Sequence, residues 1–587
     1  MEQSEIIKKA KEYCAVEKDP QFRQEVEDLL GKEDFEALGD RFYTELNFGT
    51  GGLRGIIGGG FNRMNPYIVQ RATQGLANYI VKEKDPARAS VVIAYDSRRF
   101  SDRFALQAAC VCAGNGIKAY LFTGLRPTPE LSFAVRHLKA TAGIVLTASH
   151  NPAQYNGYKV YWEDGAQIVP PQDKAIVNEV YDVTDITGMS EKDAVKQGLL
   201  VHIDHEIDDA YIETIRRQAL RPDLIRGRGS ELSAVYTPLH GAGRMPLQTA
   251  LEKMGITVTP VEEQKEPDGN FPTVTYPNPE EPSAMKMALE LAEQTEADLV
   301  LGTDPDADRL GVGVPVDGSW VLLTGNQLGT LLLDYIVTTR KEQGTLPSNG
   351  AFVKTIVTTE LQRLVAENAG LACYDTLTGF KYIGKLIRDF ENMEKGPEYV
   401  FGGEESYGYL VGTSVRDKDA VSSAAMTAEM ALYYRTKGMT LFDRLNQIYD
   451  EYGDFEEILI SKYFTGEKGA KITLSIMDEL RNNSLAQFAG QEVVVIKDYL
   501  DGTTLDKRKN VKEKDINLPS SNVLQYFLSD KTIVSVRPSG TEPKIKFYAS
   551  CRSEPKMELS QAKEVVHGKI TAVETEIDNL IDRLSHA

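Results

Sequence analysis

Short apolar runs alternate with amphipathic stretches along most of the chain. Val91-Val92-Ile93-Ala94-Tyr95, residues 118–122 and Ala142-Gly143-Ile144-Val145-Leu146 have the length and apolarity of buried strands. Residues 101–115 carry helical spacing between them, and another helix precedes Ala142. The alternation returns from about residue 205, with strands at Ala234-Val235-Tyr236 and 297–302. It returns again over about 325–450, with a helix at 328–337 and strands at 351–357 and Tyr399-Val400-Phe401. Strands alternating with helices predict parallel α/β layers. Upstream, Phe35, Leu38, Phe42 and Leu46 have helical spacing, so residues 1 to about 45 read as helices without chemistry. Beyond about 455 the pattern changes. Residues 492–496 and 532–536 read as strands of a smaller α+β domain, followed by a charged helix over 557–584.

A chain of 587 residues is too long for one core. Its net charge of −20 argues against nucleic acid or an anionic membrane as partner. Any phosphate it handles must therefore meet a local cluster of cations and backbone N–H groups. Met1-Glu2-Gln3-Ser4-Glu5 lacks the basic head and apolar stretch of a secretory leader, and no window approaches the ~18 apolar residues of a membrane span. The five cysteines are scattered and form no zinc-like pairs, which fits reduced thiols and a cytoplasmic location.

In α/β sheets, function collects beyond the carboxyl ends of the strands. Thr147-Ala148-Ser149-His150-Asn151-Pro152 stands at such an end. Pro152 disfavours the α region for Asn151. Ser149 therefore reads as the tip of a tight loop with its hydroxyl exposed, either an ordinary loop serine or a carrier of a phosphoryl group. Lys159 reaches the same cleft if the chain doubles back, and is otherwise solvated. Earlier, Phe48-Gly49-Thr50-Gly51-Gly52-Leu53-Arg54-Gly55 reads as a loop whose glycines permit close backbone approach, with Arg54 as a phosphate partner. His240 reads as a satisfied loop histidine, and 267–282, with five prolines, as a long loop.

Thr303-Asp304-Pro305-Asp306-Ala307-Asp308-Arg309 places three carboxylates in one strand-end turn. Hard oxygens so spaced suit Mg²⁺. The rival readings are a solvated acidic turn and a dehalogenase-type phosphatase with Asp304 as nucleophile. Glu404-Glu405-Ser406 offers acceptors for the vicinal hydroxyls of a sugar. Arg537-Pro538-Ser539-Gly540-Thr541 has the make-up of an anion receptor. Together these stretches call for a phosphorylated, hydroxyl-rich substrate, a divalent cation and a serine in one cleft.

From about Phe48 to Lys544 the motifs, in order, resemble those of the α-D-phosphohexomutases, and within them the glucose-type subgroup. The resemblance implies an α/β protein of four domains around a central cleft: three related α/β domains with mixed or parallel sheets, then a smaller C-terminal α+β domain. The expected boundaries are 1–205, 206–322, 323–452 and 453–587. It implies phosphoserine at Ser149, and Mg²⁺ held by Asp304, Asp306, Asp308 and a phosphate oxygen of Ser149. Arg54, His150, Lys159 and Lys418 are implied to be catalytic. Thr378, Gly379, Lys381, Glu404, Ser406, Arg309, Arg537, Ser539, Gly540 and Thr541 are implied to bind substrate. The implied reaction exchanges glucose 1-phosphate and glucose 6-phosphate through glucose 1,6-bisphosphate, on small-molecule sugar phosphates alone, in a monomer or weak dimer. Pentose and mannose phosphates remain alternative substrates, and a non-catalytic sugar-phosphate sensor is the alternative of another class. No histidine closes the loop Gly403-Glu404-Glu405-Ser406-Tyr407-Gly408, which leaves Lys418 or His150 for any proton transfer there.

Overall fold

The computed structural model describes residues 2–49, 52–464, 466–482, 485–538 and 544–585. The chain divides into two compact units, Met1–Leu328 with Phe380–Gly438, and Gly329–Gly379 with Met439–Ala587.

In the first unit, the apolar runs become the inner strands of two mixed sheets. One sheet has the order Gly52–Ile56, Tyr155–Trp162, Ala142–Leu146, Ser90–Tyr95, Lys118–Phe122, Leu200–Ile203. Its last four strands are parallel, and the first two run against their neighbours. All five residues of Ala142–Leu146 are buried, as expected of a strand covered on both faces. Helices Ser101–Gly114 and Thr128–His137 pack on these strands. The second sheet has the order Ser319–Leu322, Leu310–Val316, Leu299–Thr303, Ser233–Thr237, Thr257–Pro260, again with a parallel part and two antiparallel strands. The parallel layers expected from the pattern are thus mixed at their margins, where short connections return Tyr155–Trp162, Leu310–Val316 and Ser319–Leu322 alongside the preceding strand and Gly52–Ile56 joins from earlier in the chain.

Helices Gln3–Val16, Pro20–Gly31 and Phe35–Phe42 form a small core of their own around Tyr13, Val26, Leu38 and Phe42. Strands Glu398–Glu404 and Gly408–Val411 form a hairpin with Glu405, Ser406 and Tyr407 at its tip. Helix Ala420–Arg435 is capped by Asp419, which accepts from the N–H groups of Val421 and Ser422.

In the second unit, Gly350–Thr355 pairs in parallel with Ala372–Thr376. The C-terminal part is an antiparallel sheet running from Phe455–Tyr463 through Lys544–Arg552, Ile533–Pro538, Leu524–Leu528, Gln491–Asp498 and Thr503–Asp506 to Val511–Glu513. Helices Gly466–Asn482 and Leu559–Ser585 pack against it. This is the smaller α+β element expected from the sequence. Among the described residues, no helix is long and apolar enough to cross a membrane.

Candidate active site

Strand Ala142–Leu146 delivers Ser149 into a turn. The Ser149 N–H donates to Thr147 Oγ1 at 2.8 Å, and the Asn151 N–H donates to the Ala148 carbonyl at 3.1 Å. Ser149 takes a left-handed φ of 51°. The loop stands at the predicted strand end, but the hydroxyl is not exposed: Ser149 is only 3% accessible. Its Oγ donates to Asp304 Oδ2 at 2.6 Å and lies 3.2 Å from His150 Nδ1. The expectation of exposure failed because the covering group comes from the other sheet of this unit, 155 residues away.

That group sits at the end of the fully buried strand Leu299–Thr303. Asp304 Oδ1 closes the turn by accepting from the N–H groups of Asp308 and Arg309, each at 3.1 Å. Both oxygens of Asp304 are therefore engaged, which disfavours it as a nucleophile toward phosphorus. Asp304, Asp306 and Asp308 are buried and bring one carboxylate oxygen each to within 4.8 Å of one another. Asp306 Oδ2 accepts from Thr128 Oγ1 at 2.7 Å and from Lys159 Nζ at 2.8 Å. Asp308 Oδ2 lies 3.4 Å from Lys159 Nζ and 3.1 Å from Lys418 Nζ. Asp306 Oδ1 and Asp308 Oδ1 are buried with no hydrogen-bond partner. Buried carboxylate oxygens without a donor are costly. Two of them beside a third carboxylate form an all-oxygen set of the kind a hard divalent cation takes. The residues fit such an ion, and the acidic turn is not a solvated one.

The fields in this cluster are strong. Burial and the charges of Asp306 and Asp308 push the Asp304 carboxyl well above its ordinary range. Against the same burial, Lys159 pulls Asp306 below its ordinary range, and Lys418 with Lys159 does so for Asp308. Burial opposes the charge of both lysines, yet the facing carboxylates outweigh it and hold both ammonium groups above their ordinary range. His150 goes the other way: burial, with Arg309 and Arg54 nearby, keeps its imidazole neutral.

Lys159 reaches the triad because strand Tyr155–Trp162 turns back beside Ala142–Leu146. Arg54 lies on strand Gly52–Ile56 opposite Gly157 and donates to Asn151 Oδ1 at 2.9 Å. From Gly52 to Gly55 the expected glycine loop is thus an edge strand, and Thr50 and Gly51 lie outside the described residues. Lys418 is held between two buried bonds, Tyr161 Oη to Asp417 Oδ2 at 2.6 Å and Tyr211 Oη to Asp419 Oδ1 at 2.8 Å. Arg309 pairs with Glu280. Glu404 is buried at the end of its strand, near enough for its charge to favour the protonated forms of Arg309 and Lys418, and Ser406 is at the hairpin tip.

Ser149, His150, Arg54, Lys159, the three aspartates and Lys418 thus form one connected cluster, with Arg309 and Glu404 beside it. Lys381 belongs to the same unit and is buried, and burial pushes its ammonium down to about 8. In the second unit, Arg537 donates to Thr378 Oγ1, and Gly379 takes a φ of 113° that favours glycine. Ser539, Gly540 and Thr541 lie outside the described residues.

Sequence reasoning passed over Thr128, Arg98, Tyr161, Asp417 and Glu280. Two had a signal: Arg126-Pro127-Thr128-Pro129 opens a helix, and Asp96-Ser97-Arg98 directly follows a strand.

Four domain models of the phosphoglucomutase/phosphomannomutase family match the chain in order. They are α/β/α domains I, II and III over 45–186, 209–317 and 324–452, and the C-terminal domain over 491–566. A phosphoglucomutase of Staphylococcus haemolyticus is 36% identical over 525 residues, covering 89% of this chain and 93% of the relative. A phosphopentomutase of Homo sapiens is 35% identical over 571 residues, covering 94% and 92%. The open form of parafusin, a phosphoglucomutase of Paramecium, shares the fold with a TM-score of 0.69 at 17% identity, covering 93% of this chain and 96% of that one. A phosphoglucomutase/phosphomannomutase family protein of Burkholderia thailandensis does so with a TM-score of 0.63 at 17% identity, covering 92% and 97%. The chain belongs to the phosphoglucomutase/phosphomannomutase family of α-D-phosphohexomutases and is an intramolecular phosphotransferase, an isomerase.

Proposed function

We propose that this enzyme interconverts glucose 1-phosphate and glucose 6-phosphate through a phosphoserine at Ser149. The observation that carries the reading is the buried Ser149 Oγ, 2.6 Å from Asp304 Oδ2, in a cluster of three aspartates and two lysines. Phosphoryl transfer needs positioning and charge neutralisation more than covalent help. In the first step the bond from Ser149 Oγ to phosphorus breaks and a bond forms from phosphorus to the C6 oxygen of glucose 1-phosphate. The proton of that hydroxyl passes to Ser149 Oγ, with the neutral imidazole of His150 as carrier. Glucose 1,6-bisphosphate reorients, its other phosphoryl group returns to Ser149, and glucose 6-phosphate leaves. Lys159, Lys418 and Arg54 supply positive charge to the moving group. Asp304, Asp306, Asp308 and a phosphoserine oxygen would hold Mg²⁺, whose chemistry when bound is charge neutralisation on that group. Glu404, Ser406, Thr378, Gly379, Lys381 and Arg309 would hold the sugar, and Arg537, Ser539, Gly540 and Thr541 the phosphate at rest. In domain terms, 1–205 carries the phosphoserine, 206–322 the metal loop, 323–452 the sugar loop and 453–587 the phosphate loop.

A pentose 1-phosphate is the second reading, and the similarity to the human phosphopentomutase supports it. Glu404 argues for glucose. A hydrogen bond from a substrate hydroxyl to a charged acceptor contributes about 1.5–3 kcal/mol, or roughly 10- to 150-fold in selectivity when the substrate lacks it. The test is kcat/KM for glucose, mannose, glucosamine and ribose 1-phosphates, measured side by side with Mg²⁺ and the matching bisphosphate. Glucose 1-phosphate is expected to lead. A lead of ~10-fold for ribose 1-phosphate, about 1.4 kcal/mol of transition-state preference, overturns the substrate and leaves the phosphoserine step standing. A phosphoryl label labile to hydroxylamine and mapped to Asp304 overturns that step.

A further inference from the structure

Arg98 follows strand Ser90–Tyr95, and its side chain is fully buried. Its guanidinium donates to four main-chain carbonyls, three in the loop that carries Ser149 and one at Tyr155, where the next strand opens. Nη2 bonds the carbonyls of Ser149 and Asn151, and Nη1 bonds those of Pro152 at 2.9 Å and Tyr155 at 3.0 Å. Nε faces the buried carboxylate of Asp96, 3.4 Å from Oδ2. Asp96 is itself anchored, since its Oδ1 accepts from Ser101 Oγ and the Arg98 N–H. The ring of Phe271 covers the guanidinium, its centroid 5.0 Å from Cζ. Phe271 comes from the long loop before helix Pro282–Thr295 and is 2% accessible. That loop lies hard against the turn holding Arg98: a Cβ on Gly269 would fall 2.6 Å from Arg99 N and from Ser97 O.

Only arginine suits this place. Four carbonyls reached by two nitrogens of one side chain need the planar guanidinium fork, whereas lysine offers three donors from one point. Burial lowers the Arg98 pKa to about 10 against the pull of Asp96, so the group stays charged at neutral pH. Ser149, meanwhile, occupies a left-handed φ of 51° that a serine holds only when its surroundings over-determine it. Thr147 fixes the N–H of Ser149, and Arg98 fixes its carbonyl and three carbonyls after it.

We infer that Arg98 is the positioning residue of the phosphoserine loop: clamped between Asp96 and Phe271, it holds Ser149 in the left-handed turn from which Oγ reaches Asp304. It acts through Ser149 and touches no substrate. The inference rests on Ser149 as the phosphoryl carrier.

The test uses the full-length enzyme, stripped of phosphate and then labelled from ³²P-glucose 1,6-bisphosphate. Ser149→Ala, Arg98→Lys and Phe271→Leu are compared with the parent for labelling rate, labelling stoichiometry and KM for glucose 1-phosphate. Arg98→Lys is expected to slow labelling about 10-fold or more, with a stoichiometry near that of the parent and KM within about threefold. A role in folding alone would instead lower the stoichiometry and leave the rate per labelled molecule intact, and that outcome overturns the inference. So does parental-rate labelling in a folded Arg98→Lys. If Arg98→Lys does not fold, Phe271→Leu decides: slower labelling supports the clamp, and an unchanged rate overturns it. Labelling of Ser149→Ala, or none in the parent, overturns the phosphoserine reading instead.

Discussion

Thr128→Val tests whether the aspartate cluster is built for a cation. Thr128 opens helix Thr128–His137 and is fully buried. It grips Asp306 twice, by its N–H to the Asp306 carbonyl at 2.9 Å and by Oγ1 to Oδ2 at 2.7 Å. With Lys159 as the second donor to Oδ2, the carboxylate cannot turn, and Oδ1 is left without a donor. Valine keeps the shape and removes one bond. A hydrogen bond to a charged group contributes about 1.5–3 kcal/mol, and losing a partner that orients a metal ligand typically costs ~10–100-fold in affinity. The two routes agree at about 1.4–3 kcal/mol. The repulsion that a cation relieves is of the same order, since unit charges 4.8 Å apart in a medium of effective dielectric 20 repel by roughly 3–4 kcal/mol. Mg²⁺ affinity of the phosphate-free enzyme, measured by titration calorimetry, is therefore expected to fall by about 10- to 100-fold. The sugar-phosphate KM should be nearly unchanged at saturating Mg²⁺. A folded Thr128→Val that binds Mg²⁺ within about twofold of the parent would refute the reasoning, because the bond would then have no part in holding a ligand.

Two further outcomes depend on pH. Burial lowers the Lys381 pKa to about 8, so its charge is lost as pH rises through that value. If the Lys381 ammonium binds the substrate, as proposed, KM rises above pH 8 in the parent, whereas Lys381→Arg, charged throughout, removes that limb; superimposable profiles over the alkaline range would exclude the role. Burial raises the Asp454 carboxyl to about 6 from an ordinary value near 3.8. Since the folded value is the higher one, stability falls as pH rises from 3.8 toward 6 and the penalty persists above. Asp454→Asn should then stabilise the enzyme at pH 8 by up to about 3 kcal/mol and by little at pH 4, as read by urea unfolding at the two pH values.

What the sequence revealed and what it hid have physical causes. Ser149 and the three aspartates were legible because parallel strands put their following turns at one edge of the sheet, and a strand is recognisable from a run of five residues. His240 was legible as structural, and it is: Nε2 lies 2.9 Å from Thr273 Oγ1 and Nδ1 lies 3.2 Å from the Glu266 carbonyl. Thr128 was legible as a helix start but not as a partner of Asp306, which is 178 residues away and leaves no local pattern of the pairing. Arg98 was hidden more deeply. Its partners are mostly main-chain carbonyls, which every sequence possesses. The glycines before Arg54 read as a loop, yet Gly52 is there for a close approach between strands: a Cβ on it would lie 1.9 Å from the Tyr158 carbonyl.

Under the proposed mechanism so acidic a chain must release and recapture a bisphosphate, and the engaged state of its cations bears on how. Its cations are already engaged. Lys159 lies on Asp306, Lys418 on Asp308, Arg309 on Glu280, and Arg54 on Asn151. An arriving phosphate must exchange for these partners, so the net gain on binding is smaller than the gross attraction. Cations without partners would hold both ground states tightly, and binding shared equally by ground and transition states does not raise kcat. With internal carboxylates as competitors, the cations return to their own partners as the sugar phosphate leaves. On the proposed mechanism, the same acids that give the chain its negative charge thereby leave the bisphosphate free to turn.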